Sequence, residues 1–140
     1  MPLAWPVPHE LEGRDCWCWR NGCLDGFLSL RGLESEYFNI TETKLDIKAI
    51  ADAADASDLV ASSVLQLLDD RIRRATTAII NMFDPDAIIL GGRIAELKRL
   101  HLNVSRKWPG YLLIEHSGPQ LLKASNARFT LAQGAACLAA

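Results

Sequence analysis

Three cysteines crowd together near the start of the chain, Cys16, Cys18 and Cys23, with the spacing C-x-C-x4-C. Thiolates at such spacing suit zinc, which takes sulfur and nitrogen ligands and closes a tetrahedron of four in a structural site. In a reducing compartment a tight cluster reads as a metal site before a disulfide framework. The set is one ligand short. Histidine is the usual fourth partner, and the nearby one is His9, seven residues before Cys16. The same cysteines also read as ordinary buried thiols in an aromatic-rich loop, and spacing alone leaves both readings open. Cys137, in an Ala/Gly-rich tail, reads as a core thiol.

A loop of this kind needs elements to hold it. Residues 1–23 carry three prolines, three tryptophans and the cysteines, without the period of a strand or a helix. From Leu24 the pattern becomes helical through Phe27, Leu28 and Leu33, with a break expected at Gly32. Thr43 to Ala54 reads as a short helix, and Asp55-Ala56-Ser57-Asp58 offers N-caps for a longer one. In that longer helix Val60, Val64, Leu68, Ile72, Ala75, Ile79 and Met82 recur at steps of three and four, one apolar face. Asp69, Asp70, Arg71, Arg73 and Arg74 are expected off that face.

Asp84-Pro85-Asp86 must end the helix, because proline lacks an amide donor and disfavours the α conformation before it. Ala87-Ile88-Ile89-Leu90 then reads as a strand buried on both faces, ending at Gly91-Gly92. A further helix is expected from Ile94 to Lys107, stopped at Pro109-Gly110, with strand candidates at Tyr111 to Ile114 and Leu121 to Lys123. Phe129 to Leu138 is rich in small residues that allow close packing.

Composition narrows the partners. The chain has 140 residues, 49% of them hydrophobic, which is enough for one domain with a real core. A net charge of −2 with 23% charged residues excludes the strong basic excess of a nucleic-acid or anionic-membrane binder. No apolar run approaches the roughly 20 residues of a spanning helix. The first residues show neither a basic nor an apolar leader region, so the expected compartment is the cytoplasm.

Cys16-Trp17-Cys18-Trp19-Arg20-Asn21-Gly22-Cys23-Leu24-Asp25 resembles the zinc signature of the ROK family of sugar kinases, C-x-C-G-x-x-G-C-[LI]-E. The flanks agree with the family's fructokinase type. Leu3-Ala4-Trp5-Pro6 resembles its proline-containing loop, and Asp84 to Gly92 resembles D-P-[DE]-x-I-[IV]-L-G-G. Asn103-Val104 through Trp108-Pro109-Gly110-Tyr111 resembles N-V-x-x-x-W-x-x-Y. The resemblance implies an α/β fold, the partial C-terminal lobe of an actin-like, ribonuclease-H-like sugar-kinase ATPase. Residues 1–25 would be a zinc-motif loop, and 26–140 the helices and strands of the lobe.

It further implies ATP and Mg²⁺ as cofactors in intact relatives, a hexose such as fructose as phosphoryl acceptor, and structural zinc on Cys16, Cys18 and Cys23. The family's fourth ligand is the histidine of a Gly-His pair expected just before Met1, which leaves His9 as the local substitute. Asp25 stands where the family's glutamate meets sugar hydroxyls, a role a carboxylate performs by accepting hydrogen bonds. It reads equally as an acid favoured at a helix start. Gly91 and Gly92 resemble the adenosine-side turn, where glycine admits close backbone approach and a following helix N-terminus favours negative charge. They also read as a plain tight turn.

Departures accompany the match. Trp19 replaces the motif's glycine, Asp25 its glutamate, Ser29-Leu30-Arg31-Gly32 a tighter S-G-x-G, and Arg93 a third glycine. The D-x-G-G-T loop, the catalytic aspartate and the G-T-G-x-G-G turn of family kinases do not occur in these residues, so no catalytic residue is assigned. Phosphoryl transfer rests on positioning, metal charge and a base beside the attacking hydroxyl. These residues alone are therefore expected to be inactive and to self-associate as a homo-oligomer. Two non-catalytic alternatives are a remnant of a ROK-type transcriptional regulator and a zinc-binding interaction or dimerisation module.

Overall fold

A computed structural model describes residues 1–106, 108–113, 118–126 and 129–138. It divides into two compact units, Met1–Ala78 and Ile79–Ala140.

In the first unit the irregular N-terminal loop contains one 3-10 turn, Pro8–Glu10, and leads into α1 (Leu24–Leu28) and α2 (Leu30–Thr41). The break between them falls at Ser29 rather than Gly32. Ser29 is extended, and its hydroxyl accepts the Gly32 amide proton at 3.1 Å, so it caps α2. Gly32 instead lies inside α2 as a contact point, where a Cβ would sit 2.5 Å from the Gly26 carbonyl oxygen. The next helix, α3 (Ile47–Asp55), starts later than Thr43 because the Asp46 carboxylate accepts the Ala49 amide proton at 2.8 Å. Asp58 does the same for Ala61 at 2.7 Å and opens the long α4 (Leu59–Phe83).

Val64, Leu68, Ile72 and Ala75 of α4 are buried, as their spacing requires, while Met82 is exposed. Arg71 and Arg74, expected off that apolar face, are buried as well, 3% and 4% exposed. They are neutralised by carboxylates from elsewhere in the unit, the one arrangement in which a guanidinium is stable inside.

In the second unit β1 (Ala87–Leu90) pairs in parallel with β2 (Gln120–Lys123), Ala87 opposite Gln120 and Leu90 opposite Lys123. A parallel pair needs a crossover. It is supplied through a 3-10 turn at Arg93–Glu96, α5 (Lys98–Arg106) and a second turn at Trp108–Gly110. Ala95, Leu100, Val104 and Trp108 form the buried core there. Helix α6 (Thr130–Leu138) comes last.

Four expectations change in this unit. The β1 strand is not buried on both faces, because the sheet has two strands among the described residues, and Ile89 is 65% exposed. The helix expected from Ile94 is a short 3-10 turn and then α5, and Lys107 lies outside the described residues. Tyr111 to Leu113 form a turn and irregular chain rather than a strand, Ile114 lying outside the described residues. Cys137 is exposed on α6, not a core thiol.

Candidate metal centre and ligand cleft

The cysteines are presented by a short doubled-back segment. Gly22 donates its amide proton to the Arg14 carbonyl at 3.1 Å and Cys16 to Arg20 at 3.0 Å, with Asp15 bridged to Asn21. Trp19 closes the tip by donating to the Cys16 carbonyl at 2.9 Å. This tip requires a left-handed residue, and Trp19 has φ +65° where the motif has glycine. Gly13 is likewise required at φ +73°, since a Cβ there would lie 2.8 Å from the Gly22 nitrogen. The chain start pins the segment from the other side, through Leu3 donating to Gly22 at 3.0 Å and Leu24 to Met1 at 2.9 Å.

The result brings the Cys16, Cys18 and Cys23 sulfurs within 4.8 Å of one another. Cys18 Sγ and Cys23 Sγ are 3.5 Å apart. Tetrahedral zinc with bonds of roughly 2.3 Å holds its sulfurs about 3.8 Å apart, so the donor set fits the ion with little movement. Hydrogen bonding shifts the pKa values of two of the thiols in opposite directions. The Arg20 backbone amide and then the Cys23 thiol stabilise the Cys18 thiolate and lower its pKa. Cys23, which shares its proton with Cys18 and is partly desolvated, is pushed up to about 11. A bound cation would displace those protons. His9 is exposed in the Pro8–Glu10 turn and does not join the cluster, which among the described residues offers three ligand atoms.

Buried charges hold this segment to the helices. Glu10, whose side chain is fully buried, accepts from Arg71 Nε at 2.6 Å and pairs with Arg74 at 2.9 Å. Burial alone would raise its pKa, but hydrogen bonds from Arg74 and Arg71 prevail and hold it at about 2. Arg71 also reaches Glu36 on α2 at 2.8 Å, and Arg14 pairs with the same carboxylate. The Arg14 and Arg71 guanidiniums both lie against the Phe27 ring, 5.0 and 4.9 Å from its centroid. Arg14 in addition donates to the Gly32 carbonyl at 3.1 Å, tying the cysteine segment to α2. Sequence reasoning missed this network, because its partners lie 61 and 35 residues apart and no local period marks them.

Asp25 lies in the first turn of α1, two residues after Cys23, and is exposed. It lines a cleft of about 260 Å³ together with Trp17, Arg31, Ser35 and Asn39. Asp25 and the thiols therefore belong to one local construction. Gly91 and Gly92 lie in the second unit, after β1. Gly92 has φ +75°, so that turn does demand glycine. The chain then enters a four-residue 3-10 turn, too short to present the helix N-terminus expected for binding negative charge. No helix among the described residues is long and apolar enough to cross a membrane.

The model of the ROK family matches residues 6–140. An N-acetyl-D-glucosamine kinase of Mannheimia succiniciproducens is 30% identical over 124 residues, covering 89% of this chain and 41% of that kinase. The chain thus spans about two fifths of the length of the curated relatives it matches. The structure of a ROK family glucokinase from Streptomyces griseus, in complex with glucose and AMPPNP, superposes with a TM-score of 0.77 at 22% identity, covering 97% of this chain and 49% of that one. A ROK family transcriptional regulator homologous to the E. coli MLC protein superposes with a TM-score of 0.67 at 23% identity, over 84% and 33%. At such identities the likeness shows a shared fold, the α/β architecture of ROK sugar kinases, represented here in part.

Proposed function

The chain belongs to the ROK family, and we propose that it is the sugar-recognition portion of a ROK hexose kinase, held in shape by a zinc knuckle. The observation that carries this reading is the placement of Asp25 in an open cleft of mixed polar and apolar lining, two residues beyond the three-thiol cluster. Zinc on Cys16, Cys18 and Cys23 would fix the segment that leads into α1, a purely structural role. Its fourth ligand would be His9, after a local movement of the Pro8–Glu10 turn, or a water. The Asp25 carboxylate then accepts hydrogen bonds from two sugar hydroxyls and orients the ring. Gly91 and Gly92 would border the adenosine of ATP in an intact kinase, where Mg²⁺ would supply charge neutralisation.

The acceptor is a hexose. The N-acetyl-D-glucosamine kinase relative supports an aldohexose, and the fructokinase-like loop Leu3-Ala4-Trp5-Pro6 keeps fructose among the candidates. With no base and no phosphate loop in these residues, the 140-residue chain binds sugar and transfers no phosphate by itself. The likeness to a regulator supports a second reading, a non-catalytic ROK protein. That reading changes what the module is joined to, not how it holds a sugar.

Titration of the zinc-loaded chain with glucose, N-acetylglucosamine and fructose tests the proposal. At least one should bind saturably, and Asp25→Asn should weaken it roughly tenfold or more, the usual worth of a charged hydrogen bond. Absence of saturation with all three, or an unchanged affinity in the variant, would reject it.

A further inference from the structure

Trp17, between the first two cysteines, is 79% exposed and lines the cleft that holds Asp25. Exposure alone does not set it apart, since Trp19 is 97% exposed, but of these two indoles Trp17 is the one that lines the cleft. Its surroundings are polar. Asp25, Arg31, Ser35 and Asn39 supply acceptors and donors along the rest of the cleft, and Trp17 is the large aromatic surface there. The cleft, about 260 Å³, lies just below the roughly 300 Å³ at which pockets for drug-sized ligands begin, so it suits one small ring.

A hexopyranose has the complementary chemistry. Its hydroxyls radiate from the rim of the ring, while its axial C–H bonds make an apolar face that covers an aromatic plane. We infer that Trp17 is the stacking wall of the sugar cleft and determines its preference for cyclic hexoses, with Asp25 fixing the hydroxyl edge. The inference rests on reading this cleft as the sugar site. The cysteine segment then has a second task besides holding a metal. The turn that positions Cys16 and Cys18 also fixes the backbone from which the indole between them extends.

The experiment compares binding of glucose and of sorbitol, which carries similar hydroxyls on an open chain without a ring face, to the zinc-loaded chain. Saturation-transfer NMR reads which sugar protons touch protein. The wild type should favour glucose, with saturation concentrated on the axial ring protons. Trp17→Ala should lose roughly tenfold in glucose affinity and most of the preference over sorbitol, and Trp17→Phe should restore much of both. Far-UV circular dichroism and zinc content, unchanged across the variants, confirm that the segment is intact. Glucose binding that survives Trp17→Ala at wild-type strength, while Asp25→Asn abolishes it, would overturn the role of Trp17 and leave the sugar site standing. If no sugar binds even the wild type, both fail together.

Discussion

Glu10→Gln removes the charge that neutralises two buried guanidiniums while keeping the size of the side chain. In the wild type Arg71 and Arg74 are 3% and 4% exposed, and the Glu10 carboxylate between them is fully buried. Breaking such a pair from one side leaves a buried charge uncompensated, which typically costs about 3–5 kcal/mol. The folded-state pKa of about 2, against 4.5 for the free side chain, reflects the same pairing and has the same sign. Because the folded pKa is depressed, this stabilisation is fully present above pH 4.5 and is lost as the pH falls through about 2. Urea unfolding followed by far-UV circular dichroism, repeated across that range, measures it. The variant should be less stable by about 3 kcal/mol at pH 7, and the gap should shrink steadily below pH 4.5. A gap under about 1 kcal/mol at neutral pH, or one that does not change with pH, would refute the claim that Glu10 anchors the segment by charge.

Trp19→Gly should stabilise the first unit by about 1 kcal/mol, because Trp19 occupies a left-handed conformation and makes little contact at 97% exposure; an unchanged or lowered melting temperature counts against this. Gly32→Ala should destabilise it by about 1–3 kcal/mol in the same urea assay, since its methyl group would press on the Gly26 carbonyl and part α1 from α2. In the second unit Met82, Phe83, Ile89 and Leu113 are each at least 65% exposed, so sedimentation should show self-association that rises with concentration, and a strictly monomeric chain across a wide range would contradict it.

Local rules made parts of this fold legible. Asp58 and Pro85 mark a helix start and a stop through capping and a missing donor, and α4 follows from its apolar period, whereas the cap at Asp46 was missed and α3 was expected too early, from Thr43. The strand β1 was legible as a strand but not in its burial, which depends on how many neighbours the sheet supplies. Ser29 was hidden because Gly32 looked the stronger breaker, whereas its lack of a side chain serves packing. At the candidate site, the cysteines and Asp25 were singled out from a motif with fixed spacing, and the structure places them in one segment. Arg14, Glu36, Arg71 and Arg74 could not be, since a charge on a helix reads as solvated until its partner is seen across the fold. The nearness of Trp17 to Asp25 in the cleft is likewise tertiary.

The most direct test is the hexose affinity of the chain measured with zinc bound and again after the metal is removed by a strong chelator under reducing conditions. Saturable binding by the zinc form, lost or weakened at least tenfold on removal and restored when zinc is returned, is what a sugar cleft built on a metal knuckle requires. Protein prepared without chelator that carries no zinc, leaves Cys16, Cys18 and Cys23 freely alkylated and binds no hexose would contradict the account at its centre.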